Sequence, residues 1–213
     1  MCERYPPGVC GRFVAASPRG LLVEWFGVEE VGELDALPPS YNVAPTDDVY
    51  AVTADDGRRS LRVMSWGLGK RINARAETLT GGRRCLLPAN GFYEWETLYD
   101  GAKQPWFFGS LDGHPLGLAG IWATPGACAI VTTAAAPPVD RLHDRMPIIL
   151  GRHDWDEWLD MDAGMDGMRN LLVPPAEAPL ALKRVSTRVN DVRNNDPALL
   201  DPAPPPPEPL RLL

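Results

Sequence analysis

Cys10 is the residue of this sequence with the most distinctive potential chemistry. It lies near the start of the chain, in the segment Cys10-Gly11-Arg12-Phe13. If the residues before it are removed, Cys10 offers a free α-amino group beside its thiol, and both groups titrate close enough to neutral pH to act as nucleophiles. Toward an aldehyde, the amine can form a Schiff base that the thiol then closes to a thiazolidine ring. Taken alone, Cys10 also fits a buried structural cysteine.

The other cysteines, Cys2, Cys85 and Cys128, form no CxxC pair with each other or with Cys10. Their spacing favours neither a disulfide framework nor a structural zinc site. We therefore expect free thiols, with no metal and no organic cofactor.

A series of further short segments follows Cys10 in a fixed order. These are residues 42–45 (Asn-Val-Ala-Pro), 64–68 (Met-Ser-Trp-Gly-Leu), 73–78 (Asn-Ala-Arg-Ala-Glu-Thr), 84–95 (Arg-Cys-Leu-Leu-Pro-Ala-Asn-Gly-Phe-Tyr-Glu-Trp), 118–122, 131–135 and 143–147 (His-Asp-Arg-Met-Pro). Because of Cys10 and these segments in this order, nearly the whole chain resembles the SOS-response-associated peptidase (SRAP) family. The resemblance implies a β-rich fold with a positively charged cleft that recognises abasic sites in single-stranded DNA. It also implies a thiazolidine cross-link through an N-terminal cysteine that autoproteolysis exposes.

The resemblance further implies four catalytic residues. Cys10 is the expected cross-linking nucleophile, and Asn73 is expected to position the amine and the sugar. Glu94 is the expected acid/base group for ring opening and proteolysis, and His143 is expected to shuttle protons at the sugar. A carboxylate and an imidazole are the usual general acid/base pair. Without the resemblance, Asn73 fits a loop cap, Glu94 fits an ion-paired strand residue and His143 fits a surface histidine.

The predicted DNA contacts comprise three arginines, two tryptophans, a proline and a threonine: Arg12, Arg75, Arg145, Trp66, Trp95, Pro45 and Thr132. The arginines are the predicted phosphate partners, and the tryptophans the surfaces that stack or wedge beside the lesion. A core position is the alternative for Trp66 and Trp95, and we expect Trp122 in the core.

Charge is segregated along the sequence. The formal net charge of -7 argues against a general nucleic-acid binder, because affinity for phosphate normally comes from excess Lys and Arg. However, residues 24–56 contain no Lys or Arg, whereas residues 62–95 contain five arginines and one lysine against only Glu77 and Glu94 as acids. An acidic outer face with a local basic cleft is compatible with a DNA partner, and scattered solvated charge is the alternative.

Residues 1–9 depart from the family pattern, in which an initiator methionine directly precedes Cys-Gly-Arg. One explanation is a misassigned start at Val9, since a GTG codon there would be read as methionine at initiation. A second is self-cleavage between Val9 and Cys10, and a third makes Cys2 the nucleophile. The Gly-Arg-Phe that follows Cys10 favours Cys10 over Cys2.

The elements that must position these residues are mostly short strands. Runs rich in β-branched and aromatic residues predict strands at residues 49–53, 61–66, 85–87, 92–96, 105–108, 116–122 and 129–133. Helices are predicted for residues 17–26, with Ser17 as N-cap and Pro18 in the first turn, and for residues 74–79 and 152–160. Together the elements predict an α+β fold with a mainly antiparallel, barrel-like sheet and a few short helices.

The length of 213 residues is enough for one core. We expect an N-terminal extension over residues 1–9, a single domain over residues 10–200 and a Pro-rich disordered tail over residues 201–213. No apolar run is long enough to span a membrane, and the N-terminus lacks a secretory signal pattern. We therefore expect a cytoplasmic, nucleoid- or replication-associated monomer.

Two other functions remain open from the sequence. One is a thiol peptidase that acts on other proteins, with Cys10 activated by His143 and Glu94. The other is a non-catalytic reader of modified DNA bases. No cysteine-protease signature surrounds Cys10, and the basic, tryptophan-flanked segments suit DNA better than a peptide. A covalent DNA adduct would separate the cross-linker from both.

Overall fold

The computed structural model describes residues 10–32, 35–123, 126–164 and 166–203. Strands dominate these ranges: β1 Phe13–Ala15, β2 Glu30–Val31, β3 Ser40–Val43, β4 Asp48–Asp55, β5 Arg58–Trp66, β6 Asn73–Arg75, β7 Arg83–Ala89, β8 Gly91–Thr97, β9 Lys103–Ser110, β10 Leu116–Ala123, β11 Ala127–Ala134, β12 Arg145–Pro147, β13 Ile149–Leu150 and β14 Leu180–Arg184. The helices are α1 Arg19–Phe26 and α2 Trp155–Leu159, with 3-10 turns at Ala76–Thr78, Val139–Arg141, Arg152–Asp154, Gly167–Leu172, Thr187–Asn190 and Pro197–Leu200. All seven predicted strands lie inside observed ones.

The larger sheet is nine-stranded and follows the order β12-β11-β10-β7-β4-β5-β2, with β13 beside β10 and β6 beside β11. One parallel pairing joins its two halves, because Ser65 and Trp66 of β5 pair with Ala127 and Cys128 of β11. Strands β5, β4, β7, β10 and β11 therefore close into a ring. This closure confirms the predicted barrel-like, mainly antiparallel sheet.

The smaller sheet has the order β14-β9-β8-β1-β3, and all its pairs are antiparallel. It joins the larger sheet at Asn90, because β7 and β8 are one run of chain interrupted only there. Gly91 follows at the crossing, where a Cβ atom would lie 2.3 Å from the carbonyl oxygen of Phe108. No side chain fits in that space, so the crossing requires glycine. The seam between the sheets is where the site lies.

Buried side chains from both sheets form the core beneath this seam. Phe13 of β1 and Trp66 of β5 meet edge to face with ring centroids 4.9 Å apart, and Phe92 stacks on Phe108 at 5.2 Å. A second cluster packs α1 and α2 against the outside of the larger sheet. Trp122 is buried, as predicted.

Helix α1 begins later than predicted. Its N-cap is Pro18 rather than Ser17, because the Ser17 hydroxyl accepts a hydrogen bond from Nδ2 of Asn90 at 2.8 Å. Ser17 thus ties the chain to the crossing between the sheets. The helix ends as predicted at Gly27, whose φ of 61° is a left-handed conformation typical of a C-terminal glycine.

The helix predicted for residues 74–79 is wrong. The segment begins as strand β6, which pairs in parallel with Ile130, Val131 and Thr132 of β11, and continues as the single 3-10 turn Ala76–Thr78. Residues 152–160 are helical as predicted, as a 3-10 turn that leads into α2.

The predicted N-terminal extension, including Cys2, lies outside the described residues, and so does the tail from residue 204 onward. Within the described part of the chain, no helix combines the length and the apolar character needed to cross a membrane.

Candidate active site

The backbone nitrogen of Cys10 lies against the side chain of Glu94. Cys10 immediately precedes β1, Glu94 lies on β8, and these strands pair through Phe13 and Phe92. The Cys10 nitrogen donates a hydrogen bond of 2.7 Å to Oε1 of Glu94. Cys10 is fully buried and Glu94 is only 3% exposed. The fold therefore brings together two residues that are 84 positions apart.

The environment of this pair favours the neutral form of both side chains. Burial raises the pKa of Glu94 to about 8, against the opposing effect of the Cys10 hydrogen bond, and the negative charge of Asp144 raises it further. Burial, followed by the charge of Glu94, raises the pKa of the Cys10 thiol well above its ordinary range. At neutral pH, Glu94 can therefore act as a proton donor, whereas Cys10 carries a thiol and not a thiolate.

His143 and Asp144 follow the 3-10 turn Val139–Arg141. Nδ1 of His143 lies 2.8 Å from Oδ1 of Asp144 and 3.1 Å from the backbone nitrogen of Arg145. An Nδ1 that carries a hydrogen donates to Asp144, whereas an Nδ1 without one accepts from the backbone nitrogen of Arg145, so the two contacts need different positions of the ring hydrogen. Because Asp144 also acts on Glu94, its charge connects the histidine to the buried pair.

Asn73 and Arg75 lie on β6, beside the middle of β11. Asn73 pairs with Ile130, and Arg75 pairs with Thr132. The Asn73 side chain is half-buried and that of Arg75 is exposed. The larger sheet thus supplies a polar amide and a solvated cation, while the smaller sheet supplies the buried pair.

Arg145 and Thr132 form an internal clamp, and their contact with DNA stays a prediction. The guanidinium of Arg145 is bonded to both carboxylate oxygens of Glu77, and it donates to the carbonyl oxygen of Thr132 at 2.7 Å. The Thr132 hydroxyl donates to the carbonyl oxygen of Ala74 at 3.3 Å. The bond from Arg145 lowers the pKa of Glu77, so the charges of this pair neutralise each other.

Arg12 also makes internal contacts, and its predicted contact with phosphate stays a prediction. It is 7% exposed, and its guanidinium donates to Oδ1 of Asn42 at 2.8 Å and to the carbonyl oxygen of Val189 at 3.1 Å. Nδ2 of Asn42 donates to the carbonyl oxygens of Val189, Asp191 and Asn194. Arg12 and Asn42 therefore hold the C-terminal segment against β1 and β3.

The two tryptophans predicted to contact DNA have different environments. Trp66 is fully buried and its indole nitrogen donates to the carbonyl oxygen of Ile72 at 3.0 Å. This position fits the alternative of a core tryptophan, and contact of Trp66 with DNA stays a prediction. Trp95 is half-buried, and its indole nitrogen donates to Oδ1 of Asn190 at 2.7 Å. Pro45 is half-buried beside the exposed Thr46. Contact of Trp95 and Pro45 with DNA stays a prediction.

Sequence reasoning missed three polar residues of this region: Asn42, Glu77 and Asp144. Each lies inside a segment that carried the family resemblance, which was the only available signal. Across the described ranges, no group of three or more His, Cys, Asp or Glu side chains could hold a metal ion.

The structure combines a ring-closed sheet with a buried cysteine and glutamate at the seam between the sheets. The sequence matches a known family over most of its length. The profile of the SOS response associated peptidase (SRAP) family matches residues 9–192. The chain belongs to this family.

Two bacterial relatives match over most of both chains. The abasic site processing protein YoqW of Bacillus subtilis is 32% identical in an alignment of 222 positions that covers 91% of this chain and 99% of the relative. The abasic site processing protein YedK of Escherichia coli is 29% identical, with 91% and 100% covered. The abasic site processing protein HMCES of Gallus gallus is 31% identical over 77% of this chain and 66% of its own length.

Solved structures have the same fold. A protein from Bacteroides thetaiotaomicron superposes with a TM-score of 0.79 at 21% identity, covering 91% of this chain and 100% of that one. A phage-related protein from Bordetella bronchiseptica superposes with a TM-score of 0.66 at 27% identity, covering 83% and 94%.

Proposed function

We propose that this protein recognises abasic sites in single-stranded DNA and cross-links itself to them through Cys10, after cleavage of the chain before Cys10. The observation that carries the proposal is the 2.7 Å hydrogen bond from the Cys10 nitrogen to Glu94. This nitrogen is the leaving group of the cleavage and the nucleophile of the cross-link. A single carboxyl group is therefore in position for both reactions.

In the cleavage step, water adds across the amide bond between Val9 and Cys10. The carbon–nitrogen bond breaks, the carbonyl carbon of Val9 becomes a carboxyl group, and the nitrogen of Cys10 takes a proton to become an amine. Glu94 can supply that proton, because burial raises its pKa to about 8. Cys10 also has a φ of 50°, in the left-handed region. Non-glycine residues adopt this region at a cost of about 1–3 kcal/mol, which cleavage would relieve.

In the cross-linking step, the freed amine attacks the aldehyde of the ring-opened abasic sugar. Loss of one water gives an imine, and addition of the Cys10 sulfur to the imine carbon closes a five-membered thiazolidine. The proton of the thiol passes to the imine nitrogen, so no oxidant or reductant is required. His143 and Asn73 are the proposed partners for the sugar, with proton transfer assigned to His143 and positioning to Asn73.

The contacts of Cys10 argue against a thiol peptidase that acts on other proteins. Such an enzyme needs a thiolate, and the pKa of the Cys10 thiol is raised, not lowered. The group that contacts Glu94 is the backbone nitrogen and not the sulfur. A non-catalytic protein that only binds modified DNA bases would not need this contact between the Cys10 nitrogen and Glu94.

The test is to incubate the protein with a single-stranded oligonucleotide that carries one abasic site, followed by denaturing electrophoresis. We expect an adduct with the native chain and with a chain begun at Cys10, and complete loss of the adduct in Cys10→Ala. Cys128→Ala is the matched control, because Cys128 is also a fully buried core cysteine. Loss of the adduct in both variants, or in neither, would contradict the proposal.

A further inference from the structure

Trp106 lies directly opposite Glu94 in the smaller sheet. The antiparallel register of β8 and β9 pairs Glu94 with Trp106, and it also pairs Phe92 with Phe108. Side chains at directly opposite positions share one face of a sheet, with Cβ atoms about 4.5–5.5 Å apart, and residues two apart along a strand share that face as well. Because Phe92 and Phe108 belong to the core beneath the seam, Glu94 and Trp106 both face the side of the sheet that carries the candidate site.

The indole of Trp106 is bonded to the next carboxyl along β8 and not to Glu94. Its nitrogen donates to Oε2 of Glu96 at 3.0 Å, and Glu96 lies two positions after Glu94 on the same strand. This nitrogen is the only polar atom of the side chain. The ring therefore offers only apolar surface to Glu94, and its orientation needs an acceptor at position 96 rather than a charge there.

Trp106 also separates Glu94 from a cation. Arg184 on β14 pairs with Trp106, so Glu94, Trp106 and Arg184 form one row across three strands on the same face. Neighbouring strands are about 4.8 Å apart, so Arg184 begins only two strand spacings from Glu94. An arginine side chain is long enough to cover that distance, and the tryptophan is the residue between them.

The other surroundings of Glu94 do little to stabilise a negative charge. The carboxyl accepts the bond from the Cys10 nitrogen, but burial outweighs the effect of this bond on its pKa. The charged and titratable groups that face Glu94 from the described elements are the thiol before β1, the next carboxylate on β8, the carboxylate before β12 and the cation on β14: Cys10, Glu96, Asp144 and Arg184. Three of these groups are neutral or negative. Arg184 is the one that could stabilise a carboxylate, and Trp106 lies between it and Glu94.

We propose that Trp106 is a positioning residue that holds the Glu94 carboxyl in its neutral, proton-donating form by keeping both water and Arg184 away from it. A carboxylate inside a protein needs solvent, hydrogen bonds or an opposite charge. An indole ring supplies none of these when its nitrogen is bonded elsewhere. The use of the proton in cleavage and cross-linking rests on the proposed function, whereas the protonation state of Glu94 does not.

The test measures the protonation of Glu94 and the pH dependence of the reaction in the full chain. The titration is followed by isotope-edited NMR of the glutamate carboxyl carbons, with the Glu94 signal identified by its loss in Glu94→Gln. The rate of adduct formation is measured across pH with a single-stranded oligonucleotide that carries one abasic site. The variants are Trp106→Ala, Trp106→Thr, which suits a strand, the ring-retaining Trp106→Phe and the control Trp25→Ala. Trp25 is also half-buried but lies on α1, against the larger sheet.

We expect Trp106→Ala and Trp106→Thr to lower the midpoint of the Glu94 titration by about one pH unit or more, because water and Arg184 then stabilise the carboxylate. The rate of adduct formation should fall on the alkaline side as Glu94 loses its proton, so this fall should move to lower pH by the same amount. Trp106→Phe should stay close to the wild type. Melting curves verify that each variant folds, and Trp106→Thr carries the test if Trp106→Ala does not fold.

Unchanged midpoints in Trp106→Ala and Trp106→Thr, or an equal shift in Trp25→Ala or Trp106→Phe, would overturn the inference. A wild type that forms the adduct, with a Glu94 titration that does not depend on Trp106, would overturn this inference alone. A titration that depends on Trp106, in a protein that forms no adduct, would overturn the proposed function alone.

Discussion

The two sheets contribute opposite environments to the candidate site. The smaller sheet places Cys10 and Glu94 in a fully buried contact, where desolvation keeps both side chains neutral at pH 7. The larger sheet places Asn73 half-buried and Arg75 exposed along β6. One side of the seam is suited to proton transfer, and the other to holding a charged strand.

Under the proposed function, this difference assigns the chemistry to the buried side and the contact with DNA to the exposed side. Carboxylates of the described residues pair with several surface arginines and with the buried Arg145, which contacts Glu77. Changes on the buried side should then affect chemistry with little effect on binding, and changes on the exposed side should do the reverse.

Glu94→Gln should have the largest effect on the buried side. The amide can still accept the hydrogen bond from the Cys10 nitrogen but cannot transfer a proton, so we expect cleavage before Cys10 to slow about 100-fold or more. Binding should be measured with single-stranded DNA that carries a tetrahydrofuran abasic analogue, which has no aldehyde and cannot cross-link. The affinity for this DNA should change less than about twofold. Glu96→Gln is the matched control on the same strand, where Glu96 accepts a bond of 3.0 Å from Trp106. Cleavage of Glu94→Gln at the rate of this control would contradict the division between the sheets.

His143→Ala should have a smaller effect, because His143 lies at the border between the two environments. We expect adduct formation to slow about tenfold with binding retained. The measurement is a time course with the abasic oligonucleotide at saturating concentration. His153→Ala serves as the control, since the His153 side chain is 86% exposed and, among the described residues, its ionic contact is with the neighbouring Asp154. Equal rates of adduct formation for His143→Ala and His153→Ala would mean that His143 takes no part in the reaction.

The smallest expected effect is on the pH dependence of stability. The pKa of Glu94 is raised from 4.5 to about 8 on folding, so the unfolded chain releases this proton first as the pH rises. The free energy of unfolding should therefore fall between about pH 4.5 and pH 8, and level off above that. The melting temperature of the wild type should drop by several degrees across this range relative to Glu94→Gln. Parallel curves for the two proteins would mean that Glu94 is ionised in the folded state.

The long strands were predictable because their β-branched and aromatic runs carry a local signal. Strands β2, β12 and β13 have only two or three residues and contain no such run. Their strand conformation depends on pairing with neighbouring strands. Strand β6 was mistaken for a helix because Ala-Arg-Ala-Glu has high helix propensity, which pairing with β11 overrides.

For the candidate site, the sequence could predict the identities of residues but not their burial or their partners. The family resemblance indicated Cys10 and Glu94, but their burial depends on a contact across 84 positions. Arg12 and Arg145 resemble phosphate ligands in the sequence, and their partners Asn42 and Glu77 lie 30 and 68 positions away. Local patterns do not report such contacts, so the sequence alone does not indicate the internal partners of these two arginines.

The most direct test of the account is the intact mass of the protein before and after incubation with a single-stranded oligonucleotide that carries one abasic site. We predict a species that starts at Cys10 and gains the mass of the oligonucleotide less one water. The contrary result is a chain, begun at Cys10 and correctly folded, whose mass does not change. That result would mean that the contact between Cys10 and Glu94 does not serve covalent capture of DNA.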